Sequence, residues 1–207
     1  YFFENTNTTV NPRLELKNAN FLEVEKGASV FKFSDIDADN DLDLVVGYMD
    51  MLGGERGGKV DLYKNIGSVR TAKFLLVDDF FGNIDLVASS APELYDYDGD
   101  GDLDLFVGSE NGMIYYYKNL GDKKVPKFEF ESNQFENINV EAFARPVFTD
   151  LDRDGDADLV VGNKHGRVYY IENVKGNVRK NFLKVGELTD DLGAYTSIFP
   201  LDSNNDG

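Results

Sequence analysis

An all-β fold built from repeated four-stranded antiparallel units is what this 207-residue sequence predicts. Three observations predict it. One nine-residue acidic pattern occurs three times in full. Glycine, asparagine and phenylalanine landmarks follow each copy at matching offsets. The residues between the landmarks form short β-type runs bounded by turn residues, without a helical period.

The acidic pattern comes first in each unit. It reads Asp35-Ile-Asp37-Ala-Asp39-Asn-Asp41-Leu-Asp43, then Asp96-Tyr-Asp98-Gly-Asp100-Gly-Asp102-Leu-Asp104, then Asp150-Leu-Asp152-Arg-Asp154-Gly-Asp156-Ala-Asp158. A fourth copy begins at Asp202-Ser-Asn204-Asn-Asp206-Gly207. Five carboxylates within nine residues repel one another, so a tight loop needs a cation to gather them. Oxygen-only ligands select a hard ion such as Ca²⁺.

A strand should follow each loop. Leu44-Val-Val46, Leu105-Phe-Val107 and Leu159-Val-Val161 lead to a glycine twelve residues after the first aspartate: Gly47, Gly108 and Gly162. A second glycine comes next (Gly58, Gly112, Gly166), and seven residues later an asparagine (Asn65, Asn119, Asn173). The run before that asparagine is aromatic and β-branched, as in Ile114-Tyr-Tyr-Tyr117, and reads as a further strand. Nine residues after it stands Phe74, Phe128 or Phe182, opening the last strand of the unit. The N-terminus fits the same ruler, since Leu14 lies nine beyond Asn5. For the third unit the predicted strands are 145–149, 158–162, 167–172 and 182–187. Alternation should bury about half of the tyrosines in the Tyr115–Tyr117 and Tyr169–Tyr170 runs.

Four strands per repeat at spacings of 61, 54 and 52 residues is the mark of a β-propeller blade. The expected layout is a partial blade at 1–27, blades at 28–87, 88–142 and 143–193, and the start of another at 194–207, about three and a half blades in all. Closed propellers hold about four to eight blades, so further blades or another copy are expected to complete the ring.

These motifs closely resemble the FG-GAP or VCBS repeats, the blades of integrin-α-like propellers. The resemblance implies a loop joining the first and second strands of each blade and holding one Ca²⁺, three ions in all with a partial fourth site. One departure is Asn40, where the other loops carry Gly101 and Gly155; asparagine is the non-glycine residue best suited to left-handed backbone. The absence of cysteine departs from animal integrins.

The spacing supports metal ligation independently. Side chains at loop positions 1, 3 and 5 can turn to one centre, a glycine-type residue at 6 permits the bend, and positions 7 and 9 add oxygens. The expected ligand set is therefore Asp35, Asp37, Asp39, Asp41 and Asp43; Asp96, Asp98, Asp100, Asp102 and Asp104; Asp150, Asp152, Asp154, Asp156 and Asp158; and Asp202, Asn204 and Asp206. An EF-hand would need a glutamate at position 12, which is Val46, Val107 or Val161 here.

Composition narrows the function. The net charge is −17, and fifteen of the 38 acidic residues sit in the three complete loops. Nucleic acid and anionic membrane surfaces are thereby disfavoured as partners. No apolar run approaches a membrane span, and without cysteine there is no disulfide or thiolate site. His165, the sole histidine, falls in a short polar loop, and no catalytic constellation stands out.

Strand alternation places the insertion Tyr48–Gly57 on the face away from the acidic loops. It would share that face with Ser109–Asn111, Asn163–His165 and the connectors near Glu93 and Glu141–Arg145. The leading expectation is a non-catalytic, extracellular calcium-binding module that recognises a protein or glycan on that face. The alternatives are a propeller of a secreted polysaccharide-active enzyme and a structural unit of a surface filament.

Overall fold

A computed structural model describes residues 2–7, 13–18, 28–49, 57–68, 71–78, 81–174, 182–189, 192–194 and 196–198. The fold is all-β. Three four-stranded antiparallel sheets follow one another along the chain: β3–β6 (Ala28–Ser34, Asp43–Tyr48, Val60–Asn65, Phe74–Asp78), β7–β10 (Ser90–Tyr95, Asp104–Ser109, Ile114–Asn119, Phe128–Ser132) and β11–β14 (Arg145–Thr149, Asp158–Gly162, Val168–Asn173, Phe182–Thr189). They are preceded by a two-stranded ladder, β1 (Phe2–Asn5) with β2 (Leu14–Asn18). Each four-stranded sheet is a propeller blade whose strands pair strictly in sequence order.

The landmark asparagine sets the register of the outer hairpin. Asn65 lies opposite Phe74, Asn119 opposite Phe128 and Asn173 opposite Phe182, and Asn5 opposite Leu14 repeats the pairing in the N-terminal ladder. The reason is visible in the turn. Asn119 Oδ1 accepts the backbone N–H of Gly121 at 2.9 Å and of Lys127 at 2.8 Å, and Asn65 Oδ1 accepts those of Gly67 and Lys73 at 3.0 Å each. A buried side-chain amide thus satisfies two turn donors that no strand partner reaches.

Blades pack face to face. Ile36, Val45 and Val60 of the first meet Leu94, Leu105, Val107 and Tyr117 of the second. The opposite face of the second blade, Phe106, Ile114 and Tyr116, meets Leu159, Val161, Tyr169 and Ile171 of the third. Side chains that point to alternate faces of one strand therefore serve two different joints. Each of these large apolar groups contributes about 1.5–3 kcal/mol through burial. Alternation sends Tyr116 to one joint and Tyr115 and Tyr117 to the other, and because both faces are covered Tyr116, Tyr117 and Tyr169 are buried, whereas Tyr115 and Tyr170 are half-buried.

The two glycines of each unit mark where backbone meets backbone at these joints. A Cβ on Gly47, Gly108 or Gly162 would lie 2.3, 2.1 or 2.4 Å from the carbonyl oxygen of Ser90, Ala144 or Thr196, just before or at the inner strand of the next blade. The second glycines have φ near +80°, and their carbonyls accept a 3.0 Å hydrogen bond from Leu86, Val140 and Leu192 respectively. The same backbone staple thus recurs three times, between the loop after strand two and the connector into the following blade.

Two expectations need correction. The insertion begins after Tyr48, because β4 runs through that fully buried residue, whose hydroxyl donates to Asp61 at 2.6 Å. Its residues 50–56 lie outside the described set. Glu93 is no connector residue: it is buried within β7. The connectors themselves carry short 3₁₀ turns, Phe81–Asn83 and Phe135–Asn137, which bury Phe81 and Phe135.

Candidate metal centres in the aspartate loops

Each acidic loop joins the first and second strands of its blade, so all three complete loops emerge at equivalent places. The loops fold through local side-chain bonds. Position 1 is the hub, with each carboxylate oxygen accepting a backbone N–H. Asp35 takes those of Asp39 and Asn40 at 3.1 Å, Asp96 those of Gly99 and Gly101 at 2.8 and 3.1 Å, and Asp150 those of Asp154 and Gly155 at 3.2 and 3.1 Å. Position 5 then accepts the N–H of position 7 at 3.0–3.1 Å in every loop.

This winding needs left-handed backbone at two places. At position 6 it falls on Asn40, Gly101 and Gly155, as the substitution pattern predicts. At position 4 it falls on Gly99 but also on Ala38 and Arg153, with φ of 54° and 65°. That conformation costs about 1–2 kcal/mol for an L-residue with a Cβ. The cost was not legible from composition, since neither alanine nor arginine signals it.

The result is a convergent set of carboxylates. Oxygens of Asp35, Asp37 and Asp39 lie within 4.8 Å of one another, as do those of Asp96, Asp98 and Asp100, and of Asp150, Asp152 and Asp158. A calcium shell has metal–oxygen distances of about 2.4 Å and hence a diameter of about 4.8 Å, so each set fits around one ion. Position 7 lies beside this centre: Oδ1 of Asp41 and of Asp102 is buried with no hydrogen-bond partner among the described residues, as is Oδ1 of Asp37. Burial first, and the neighbouring aspartates second, push the carboxyls of Asp41 and Asp102 above the usual range. Buried anionic oxygens facing like charges are the environment a divalent cation relieves. The residues present therefore fit the ion.

Position 9 plays a second role. Asp43, Asp104 and Asp158 are buried, and Oδ1 of each accepts the N–H of the landmark asparagine of its own blade, at 2.8, 2.8 and 2.9 Å. The other oxygen accepts Ile36 N–H, the Tyr116 hydroxyl, or both Leu151 N–H and the Tyr170 hydroxyl. Burial lifts the Asp104 carboxyl to about 6. Position 9 thus latches the loop to the third strand, and a carboxylate oxygen retains a second lone pair for a metal. The tyrosines escaped sequence reading, although two of the three blades place one three residues before the asparagine.

Also missed were the residues just before that asparagine. Lys64 pairs with Asp37, and Lys118 with Asp98 at 2.5 Å, so that Lys118 holds the Asp98 carboxyl below its ordinary range. The third blade has Glu172 in this place. The partial fourth set, Asp202, Asn204 and Asp206, lies outside the described residues. His165 is exposed, its backbone N–H bonded to Asn163. Among the described residues no helix is long and apolar enough to cross a membrane.

No curated protein and no solved structure matches the chain. A family model does: it runs from the first aspartate of the second loop into β12, so that it spans one complete blade period including two acidic loops. The chain carries an FG-GAP-like repeat at residues 96–161.

Proposed function

We propose that this chain is a non-catalytic, extracellular recognition module in which one Ca²⁺ per acidic loop rigidifies each blade. The observation that carries the reading is the threefold convergence of carboxylates within the diameter of a calcium shell, beside buried oxygens lacking a donor. The ion would supply charge neutralisation and fix the turn between strands one and two. Positions 1, 3, 5, 7 and 9 of each loop would hold it.

The proposed ligand, a protein or a glycan, binds on the opposite face. There the loops after strand two interlock with the connectors into the next blade: Phe143 N–H donates to Glu110, Lys164 N–H to Ala142, and Arg167 pairs with Glu141 at 3.3 Å. A rigid framework of this kind suits recognition, since little order is lost on binding. The face also carries a concavity of about 340 Å³ lined by Leu86, Val87, Ser109, Glu110, Asn111 and Tyr115, of which Val87 is 95% exposed. Val87 is the apolar contact this reading assigns to the concavity.

The experiment is a glycan array and a panel of extracellular matrix proteins, probed in calcium and in EDTA with the native chain and with Val87→Asp. Calcium-dependent binding that Val87→Asp abolishes is the expected result. Turnover of a polysaccharide, or binding indifferent to both changes, would overturn the proposal.

The lysines provide a separate check on the metal. Lys118 competes with a cation for Asp98, so Lys118→Ala should tighten calcium binding at the second loop about three- to ten-fold, a charge effect of roughly 1 kcal/mol. Isothermal titration calorimetry reads the change directly. Unaltered affinity would mean that the ammonium does not oppose the ion.

A further inference from the structure

Two concavities adjoin at the joint between the first and second blades. The one beside Val87, of about 340 Å³, shares Leu86 and Tyr115 with a second of about 510 Å³, which continues past Asp85 to Phe130 on β10. Each lies within the range of about 300–1,000 Å³ typical of ligand pockets. Together they form one groove that runs from the face opposite the acidic loops to the outer strand of the second blade.

The backbone of the groove is held in place. Leu86 N–H donates to the Gly58 carbonyl at 3.0 Å, Asp85 forms an antiparallel bridge with Lys59, and the Glu110 carbonyl accepts Phe143 N–H at 2.9 Å. The side chains are less committed. Among the described residues, the carboxylates of Asp85 and Glu110 and the hydroxyl of Tyr115 make no hydrogen bond. Asn111 spends its side-chain oxygen on the Ser109 hydroxyl and on Met113 N–H, and its two amide donors remain. Apolar surface is available in both halves: Val87 in one, Phe130 at 58% exposure in the other, and the half-buried ring of Tyr115 in both.

We propose that this groove binds an uncharged glycan chain, with sugar rings in both concavities. The assignment rests on the recognition reading above and names its ligand class. A sugar hydroxyl donates and accepts at once, so neighbouring hydroxyls can satisfy the acceptors on Asp85 and Glu110 together with the donors on Asn111 and Tyr115. The carbon face of a pyranose is apolar and packs against an aromatic ring or against Val87. Hydroxyls recur on every ring of a glycan, so one ligand finds partners along the whole groove. A folded protein surface would have to supply donors and acceptors at each place separately.

Charge narrows the class further. The charged residues lining the groove, Asp85, Glu110 and Glu129, are all acids, and of these Glu129 alone is paired, with Lys127 at 2.6 Å. In a chain of net charge −17, a uronic-acid or sulfated chain would meet repulsion at both ends of the groove.

The test follows amide ¹H–¹⁵N spectra of the full chain in saturating calcium, titrated with cellohexaose, laminarihexaose and mannohexaose, and with hexagalacturonate as the acidic chain. Saturable shifts at Val87, Asn111, Tyr115 and Phe130 with at least one neutral hexasaccharide are expected, and binding of hexagalacturonate about ten-fold weaker or more. Glu110→Ala in one half and Phe130→Ala in the other should each weaken that hexasaccharide about five-fold or more, through loss of a hydrogen bond to a charged group and of an aromatic contact. No saturable shift with any neutral hexasaccharide, equal binding of hexagalacturonate, or indifference to either variant would overturn the proposal. The two readings fail separately. Calcium-dependent capture of a matrix protein that Val87→Asp abolishes, with no shift from any hexasaccharide, removes the glycan and leaves recognition standing.

Discussion

Saturating calcium is expected to stabilise this chain against unfolding by several kcal/mol. A ligand that binds only the folded state contributes RT ln(1 + [L]/Kd). With a dissociation constant of about 10⁻⁴ to 10⁻³ M per loop and roughly 10 mM calcium, that is about 1.4–2.7 kcal/mol per site. The three loops whose carboxylates converge within 4.8 Å should together give about 4–8 kcal/mol. Urea denaturation in calcium and in EDTA measures the difference. Magnesium should do much less, because its smaller shell demands near-octahedral ligands at about 2.0–2.1 Å. Asp96→Ala should remove about one third of the calcium effect, since it strips the hub that folds the second loop. Equal midpoints in calcium and EDTA would defeat the metal reading, while the blades themselves would stand.

Gly58→Ala is expected to destabilise the joint between the first two blades by about 4 kcal/mol or more, placing it among the most damaging single substitutions. Two costs combine. Left-handed backbone with a Cβ accounts for about 1–2 kcal/mol. The larger part is steric, since the new methyl would fall 1.5 Å from the Leu86 carbonyl oxygen and the blades must separate to admit it. That separation also strains the Gly58 carbonyl bond to Leu86 N–H. Gly99 is the natural control, having φ of +77° but nothing within 4 Å of the point its new methyl would occupy. Gly99→Ala, compared in EDTA to exclude metal effects, should cost only the backbone share. Equal losses in the two variants would show that the close approach carries no energy.

Much of this architecture is legible in the sequence because its determinants are local. The landmark asparagine acts on the turn that follows it, and the aspartates bond within their own loops, so fixed offsets report them. Alternation within Ile114–Tyr117 likewise divides the tyrosines between blade faces. What the sequence hides is set by neighbouring blades. Lys32 and Glu93 occupy equivalent places in two repeats, yet nothing local says that they pair across a joint or that β7 buries the carboxylate. Arg145 sits two positions earlier in its repeat and lines one cavity with that pair only because the inner strands converge. The left-handed turns at Ala38 and Arg153 are hidden for another reason: the loop's hydrogen bonds override the preference of the residue.

The joints between blades are closed at each step by a peptide carbonyl meeting a peptide N–H, flanked by a glycine too small to interfere. Main-chain groups are the same whatever the side chains, so this backbone part of the seam does not depend on what each unit displays, whereas the apolar faces beside it must match. Units of this kind can be duplicated, exchanged or diversified on their outer loops while the seam is inherited unchanged.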